Sequence, residues 1–189
     1  MKKIFILLSM TFIATTSLFA QAYKQSIGAV VGGLNGVSYK YFVKENVAIQ
    51  ADLGVGLTYA TGVLHLDHVG WALEGEASLM SLQVQPNAYY QNTITSGNWG
   101  TLAYQVGGGI TIGCAQDIDA VDYKGFKDCF FKWGVNAFAG IEYIMSNTPI
   151  TIGLDFRPGF AMNTYKSDFE AVHMNLFDWV LAGSVRYTF

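Results

Sequence analysis

The residues that could do chemistry in this chain are few: three histidines, two cysteines, a cluster of aspartates and a scattered set of charged side chains. An enzyme of the nucleophilic type needs a base and a nucleophile within hydrogen-bond reach. His65, His68 and His173 fall in stretches that read as connections, and no serine accompanies them in a recognisable catalytic pattern. His65 and His68 are therefore read as solvated loop residues, with a metal pair as the alternative. Cys114 and Cys129 flank one irregular stretch. In an oxidising compartment they are expected to form a disulfide, closing a loop of roughly 15 residues and contributing ~3 kcal/mol in the chain-entropy picture. Between and beside them stand Asp117, Asp119, Asp122 and Asp128. A hard cation needs several converging oxygens, and this spacing matches no calcium-binding loop. A solvated acidic loop, offset by Lys124 and Lys127, is the reading adopted. No catalytic, cofactor-binding or metal-ligating residue is assigned, and no cofactor is expected.

The remaining charged residues have a common placement. Lys40, Asp52, Lys132, Glu142, Asp155, Arg157 and Arg186 all sit on one phase of a period-two pattern, the pattern of a strand with two unlike faces. In Ile150 to Asn163, one face carries Ile150, Ile152, Leu154, Phe156, Pro158, Phe160 and Met162. The other carries Thr151, Gly153, Asp155, Arg157, Gly159, Ala161 and Asn163. Trp179 to Phe189, Lys132 to Met145 and Thr101 to Cys114 repeat the alternation, with Phe138 and Ile144 as exceptions on the polar face. Val47 to Tyr59 and about Met80 to Thr93 follow, and Ser26 to Gly32 with Val37 to Val43 forms a hairpin around Leu34-Asn35-Gly36, where Asn-Gly would supply the positive φ of a tight turn. That makes eight strands. Between Thr58 and Leu79 the phase is lost, and for Gly70 to Leu82 a helical turn, a bulged strand extension and an ordered loop remain open.

Strands with one apolar and one charged, glycine-rich face predict an all-β fold, an eight-stranded antiparallel up-and-down transmembrane β-barrel. In lipid a sheet survives only if it closes, because backbone groups at an edge have no water to turn to. The charged face would then line the interior, which eight strands leave just wide enough for side chains to fill. The seven charged residues are read as a network holding that interior together, with an ion pathway as the alternative. Met1 to Ala22, with Lys2 and Lys3, an apolar stretch and small residues at Ala20 and Ala22, reads as a secretory signal cleaved after Ala20 or Ala22, leaving 23–189 as the barrel domain. Without the signal, nine basic residues face 14 acidic ones, a net charge of −5, which does not suit nucleic acid.

Such barrels have short periplasmic turns, longer outer loops and aromatic girdles at both interfaces. With both termini in the periplasm, Val43–Asn46, Thr95–Gly100 and Ser146–Pro149 become periplasmic turns. Thr58–Leu79, Ala115–Phe130 and Thr164–Met174 become outer loops. Tyr41, Tyr90, Tyr104, Tyr143 and Tyr187 gather at one boundary, and Tyr59, Trp133, Phe160 and Trp179 at the other.

The ending Ala182-Gly183-Ser184-Val185-Arg186-Tyr187-Thr188-Phe189 resembles the recognition signal of outer-membrane barrels, with Leu181, Gly183, Val185, Tyr187 and Phe189 at its outward positions. Gly36 to Phe42, Val106 to Gly109 and Pro149 to Phe160 are similar to small bacterial outer-membrane β-barrels of OmpA/OmpX-like architecture. The resemblance implies a bacterial outer-membrane location, insertion into outer-membrane lipid and handling by the barrel-assembly machinery. The functional expectation is a non-enzymatic protein, structural or binding an extracellular protein or matrix ligand through its outer loops in the manner of an adhesin. The alternatives are an outer-membrane lipid deacylase or acyltransferase, and a soluble secreted ligand-binding barrel.

Overall fold

A computed structural model describes residues 23–66, 71–117, 130–166 and 171–189. The strands are β1 (Gln25–Gly32), β2 (Leu34–Lys44), β3 (Val47–Leu66), β4 (Trp71–Gly97), β5 (Gly100–Asp117), β6 (Phe130–Met145), β7 (Ile150–Lys166) and β8 (Ala171–Thr188). Each pairs antiparallel with its sequence neighbours, and β1 closes on β8. The fold is the closed eight-stranded up-and-down barrel expected from the alternation. A path through paired residues from Ser184, by way of Val30, Gly54, Gly113 and Asn163, returns to β8 at Met174, ten residues along the strand. That stagger goes with strands tilted by roughly 35–45° to the barrel axis.

Burial follows the sequence phase. On β7, Ile152, Leu154, Phe156 and Phe160 are about half exposed, whereas Thr151, Asp155 and Arg157 are buried. Exposed isoleucines, leucines and valines recur around the whole outside of the ring, and the buried set is dominated by lysine, arginine, glutamine, aspartate and serine. A water-soluble barrel would reverse this distribution, since buried charge is tolerated only when paired and a continuous apolar surface associates in water. Hydrocarbon is the medium that fits, and the chain is a transmembrane β-barrel. The soluble ligand-binding alternative has its apolar residues on the wrong side.

Several sequence expectations need correction. The first hairpin does not turn on Asn35-Gly36. Those residues already belong to β2, opposite Val55 and Gly54, and the positive φ lies at Gly32 (φ 129°). Asn35 acts instead through its side chain, which donates to the Gly32 carbonyl (2.8 Å) and accepts from the Gly32 N–H (3.1 Å). Apart from 67–70, which lie outside the described residues, the stretch Thr58–Leu79 is strand and not an outer loop. β3 and β4 stay in unbroken register from Val47 opposite Tyr90 to Leu66 opposite Trp71. Thr164–Met174 is likewise strand for most of its length, and only 167–170 separates β7 from β8. Alternation faded in both places because beyond the lipid neither face has to be uniformly apolar. Backbone pairing continues without it.

The outer half of the ring is also built differently from the inner half. β1 and β2 end at Gly32 and Leu34, and beyond them β3 pairs directly with β8, from Thr61 opposite Phe177 to Leu66 opposite Val172. Eight strands therefore close the ring near the chain termini, and six close it at the far end.

Candidate functional site: the barrel interior

The interior is where the charged residues of the sequence meet. β2, β4, β6 and β8 bring together Lys40, Gln91, Glu142 and Arg186, and Tyr23, just ahead of β1, reaches in beside them. Lys40 Nζ donates to Glu142 Oε2 (2.7 Å), Gln91 Oε1 (2.6 Å) and the Tyr23 hydroxyl (2.6 Å). The Tyr23 hydroxyl donates to the same Glu142 Oε2 (2.7 Å), and Arg186 Nη1 reaches Glu142 Oε1 at 3.1 Å. Arg186 Nε donates to Ser38 Oγ (3.0 Å). One carboxylate thus serves two cations, and every donor is held by a different strand or by the segment ahead of β1.

A second cluster centres on Arg157. Its Nη1 lies 2.6 Å from Asp52 Oδ2 and its Nε 2.6 Å from Asp155 Oδ1, with Gln85 Oε1 accepting at 2.9 Å. Asp52 is further tied through Gln50 to the Tyr89 hydroxyl (2.8 and 2.9 Å). A third pair, Lys132 Nζ and Asp178 Oδ2 at 2.6 Å, stands farther toward the outer end. All seven charged residues assigned to the interior from sequence are buried there. The sequence reading missed Asp178, although it lies in phase with the inward Val180, Ala182 and Ser184, one residue before the point where the strand was taken to begin. It also missed Tyr23, which precedes any strand signal.

Among the described residues the lumen therefore holds four cations (Lys40, Lys132, Arg157, Arg186) and four carboxylates (Asp52, Glu142, Asp155, Asp178). Balance matters because an uncompensated charge in a low-dielectric interior costs several kcal/mol. Aromatic rings complete the filling. Phe138, an exception on the polar face in sequence, stacks on Tyr89 with centroids 4.6 Å apart and lies 5.1 Å beneath the Arg157 guanidinium. Lys40 Nζ stands 4.7 Å from the Phe42 ring centroid and 5.2 Å from that of Tyr23. Such contacts are worth most where water is excluded. Gly107, opposite Phe138, makes the stack possible. A Cβ there would lie 2.2 Å from the Ala88 carbonyl oxygen and 2.5 Å from the Tyr89 backbone.

Little space remains. An interior cavity lined by Gln85, Thr111, Asn136, Arg157 and Asp178 has a volume of about 10 Å³, enough for a single water. The charges form a set of braces between strands.

On the outside, Tyr41, Tyr90, Tyr104, Tyr143 and Tyr187 lie at the end of the ring that carries the chain terminus and the short turns. Trp133, Phe160, Phe177 and Trp179 lie toward the other end. Leu181, Gly183, Val185, Tyr187 and Phe189 run along the lipid side of β8, and Phe189 is tied to Gln25 by reciprocal backbone hydrogen bonds (2.9 and 3.1 Å). Cys114 is near the outer end of β5, opposite Phe131, and no described cysteine is free. Cys129, Asp119, Asp122, Asp128, Lys124, Lys127, His68 and residues 1–22 lie outside the described residues; Asp117 ends β5.

No family model matches the chain, and no curated protein matches it. Two solved structures are similar in fold. Both are of Ail, the attachment invasion locus protein of Yersinia pestis, one of them in complex with the heparin analogue sucrose octasulfate. Each is 13% identical, with 89% of this chain and 100% of that chain covered, and TM-scores of 0.30 and 0.33. The transmembrane assignment rests on this chain's own distribution of charge and apolar surface.

Proposed function

We propose that the chain is a non-enzymatic protein of the bacterial outer membrane, exported by the signal at 1–22 and inserted with both termini in the periplasm. It presents its outer end to an extracellular protein or matrix ligand. The observation that carries this reading is the filled, charge-balanced lumen. A barrel braced across its interior by paired charges, with lipid-compatible side chains turned outward, has its ends left for interaction. The outer end is the more elaborate one, because β3, β4, β5, β7 and β8 all run on past the ring of Trp133, Phe160 and Trp179. Loops held by a rigid scaffold are where binding tends to reside, and 118–129 is the longest connection at that end. Cys114 and Cys129 are proposed to bridge its base. The Leu181 to Phe189 segment is proposed as the part read by the barrel-assembly machinery.

The test is a deletion of 118–128 in otherwise intact cells. The expected outcome is a barrel that still assembles, with binding to host cells or matrix lost. Undiminished binding would overturn the loop assignment. Lipid A and phospholipid profiles are expected to stay unaltered on overexpression, and a change in acylation would favour the lipid-modifying alternative.

A further inference from the structure

Three buried polar atoms of the lumen, Arg157 Nη2, Asn136 Oδ1 and Asp178 Oδ1, find no hydrogen-bond partner among the described residues. Each belongs to a side chain that is otherwise engaged. Arg157 commits Nε to Asp155 and Nη1 to Asp52 and Gln85. Asn136 donates through Nδ2 to Asn87 Oδ1 (2.8 Å), and Asp178 holds Lys132 through Oδ2. All three side chains line one interior cavity, the space of about 10 Å³ described above. The register explains why they meet. Asn136 of β6, Gly159 of β7 and Asp178 of β8 stand directly opposite one another in a single row. Gly159 is the inward residue in the middle of that row and places no side chain between its neighbours. A Cβ there would lie 2.4 Å from the Val135 carbonyl oxygen and 2.9 Å from Asn136 Cβ. Arg157 stands two residues away on the same face of β7 and closes the cavity from that side.

We infer that this cavity is the binding site of one resident water molecule, which accepts a hydrogen bond from Arg157 Nη2 and donates one each to Asn136 Oδ1 and Asp178 Oδ1. One donor and two acceptors are the complement of a water that accepts once and donates twice, and about three hydrogen bonds are what a buried water makes. The surroundings select against ions. A hard cation takes six or more oxygens and would here find two, next to the charges of Arg157 and Lys132. An anion would face the Asp178 carboxylate. The water is a structural member of the lumen: it joins the Arg157 cluster to the Lys132–Asp178 pair and, through Asn136, to Asn87 of β4. It also satisfies a guanidinium nitrogen and a carboxylate oxygen that burial leaves no other way to pair.

The experiment is a crystal structure of the full barrel at a resolution that shows ordered waters. One peak is expected in the cavity, at about 2.6–3.2 Å from each of the three atoms. A cavity without a peak overturns the site. So does a peak at the shorter distances of about 2.0–2.5 Å from the two oxygens with no contact to Nη2, which would be a bound cation. A solution measurement adds a second arm. Water magnetic relaxation dispersion on the folded barrel in detergent micelles counts waters that are held far longer than surface hydration. Asn136→Leu removes one acceptor and fills the space with an apolar side chain, so the folded variant is expected to lose one such water relative to the wild type. Its folding is checked by heat-modifiable mobility. An unchanged number of long-lived waters in the folded variant overturns the assignment, and the crystal structure of the wild type decides the question without the variant.

Discussion

At the scale of single residues, the interior is decided by a few side chains that each serve several partners. Glu142 accepts from Lys40, Arg186, Tyr23 and Gln91 at 2.7 to 3.1 Å. Glu142→Gln should therefore destabilise the barrel by about 3–5 kcal/mol, the usual cost of leaving a buried charge without its partner. The measurement is the temperature at which the folded band disappears on a heat-modifiability gel, and an unshifted transition would mean that the braces carry no stability. Gly107→Val tests packing in place of charge. Its side chain would run into the Ala88 carbonyl and the Tyr89 backbone, neither of which can give way, so assembly should fail or the folded band should melt far earlier. The charged residues themselves were legible in the sequence, because ionisable groups on one phase of strands that are otherwise apolar have few other places to go. Tyr23 and Asp178 were not, since one precedes the first strand and the other lies in a stretch where the apolar phase had not begun.

At the scale of elements, the β1–β2 hairpin shows how one side chain can close a turn. Asn35 faces outward on β2 and satisfies both the N–H and the carbonyl of Gly32, so its polarity is spent on the turn. Asn35→Ala should cost about 0.5–1.5 kcal/mol, the net worth of an ordinary hydrogen bond, whereas a conservative change at the fully exposed turn between β4 and β5 should leave stability unaltered. Equilibrium unfolding of the barrel in urea and detergent measures both. The sequence marked this hairpin and misplaced its turn by three residues, because Asn-Gly is a strong local signal and register is set by all the neighbouring strands together. The outer parts of β3, β4, β7 and β8 were illegible for a related reason: their pairing is a property of the backbone, and beyond the membrane it leaves no alternation to read. The bridge proposed between Cys114 and Cys129 belongs at this scale too. Unreduced protein is expected to show no titratable thiol, and reduction should make the 118–129 connection more sensitive to protease while the barrel stays folded.

For the whole molecule, the combination of a charge-braced lumen and an apolar exterior predicts a barrel that needs detergent for extraction, migrates differently before and after boiling, and carries no current. In planar bilayers the purified protein should give no steady unit conductance at moderate voltage. Reproducible ohmic steps would contradict the interior described above, and solubility without detergent would contradict the membrane assignment. The narrowing from eight strands to six at the outer end points the same way, since a ring of fewer strands encloses less space.

The sequence by itself determined that strands alternate, which face of each is apolar, and that about eight of them must close in lipid. Those are consequences of a period-two backbone meeting hydrocarbon on one side, and they are encoded locally, residue by residue. The tertiary structure alone decided which charge meets which, where the first hairpin turns, and that β3 and β8 meet above it. Each of these depends on the stagger accumulated around a closed ring, a quantity to which every strand contributes and which no single segment contains.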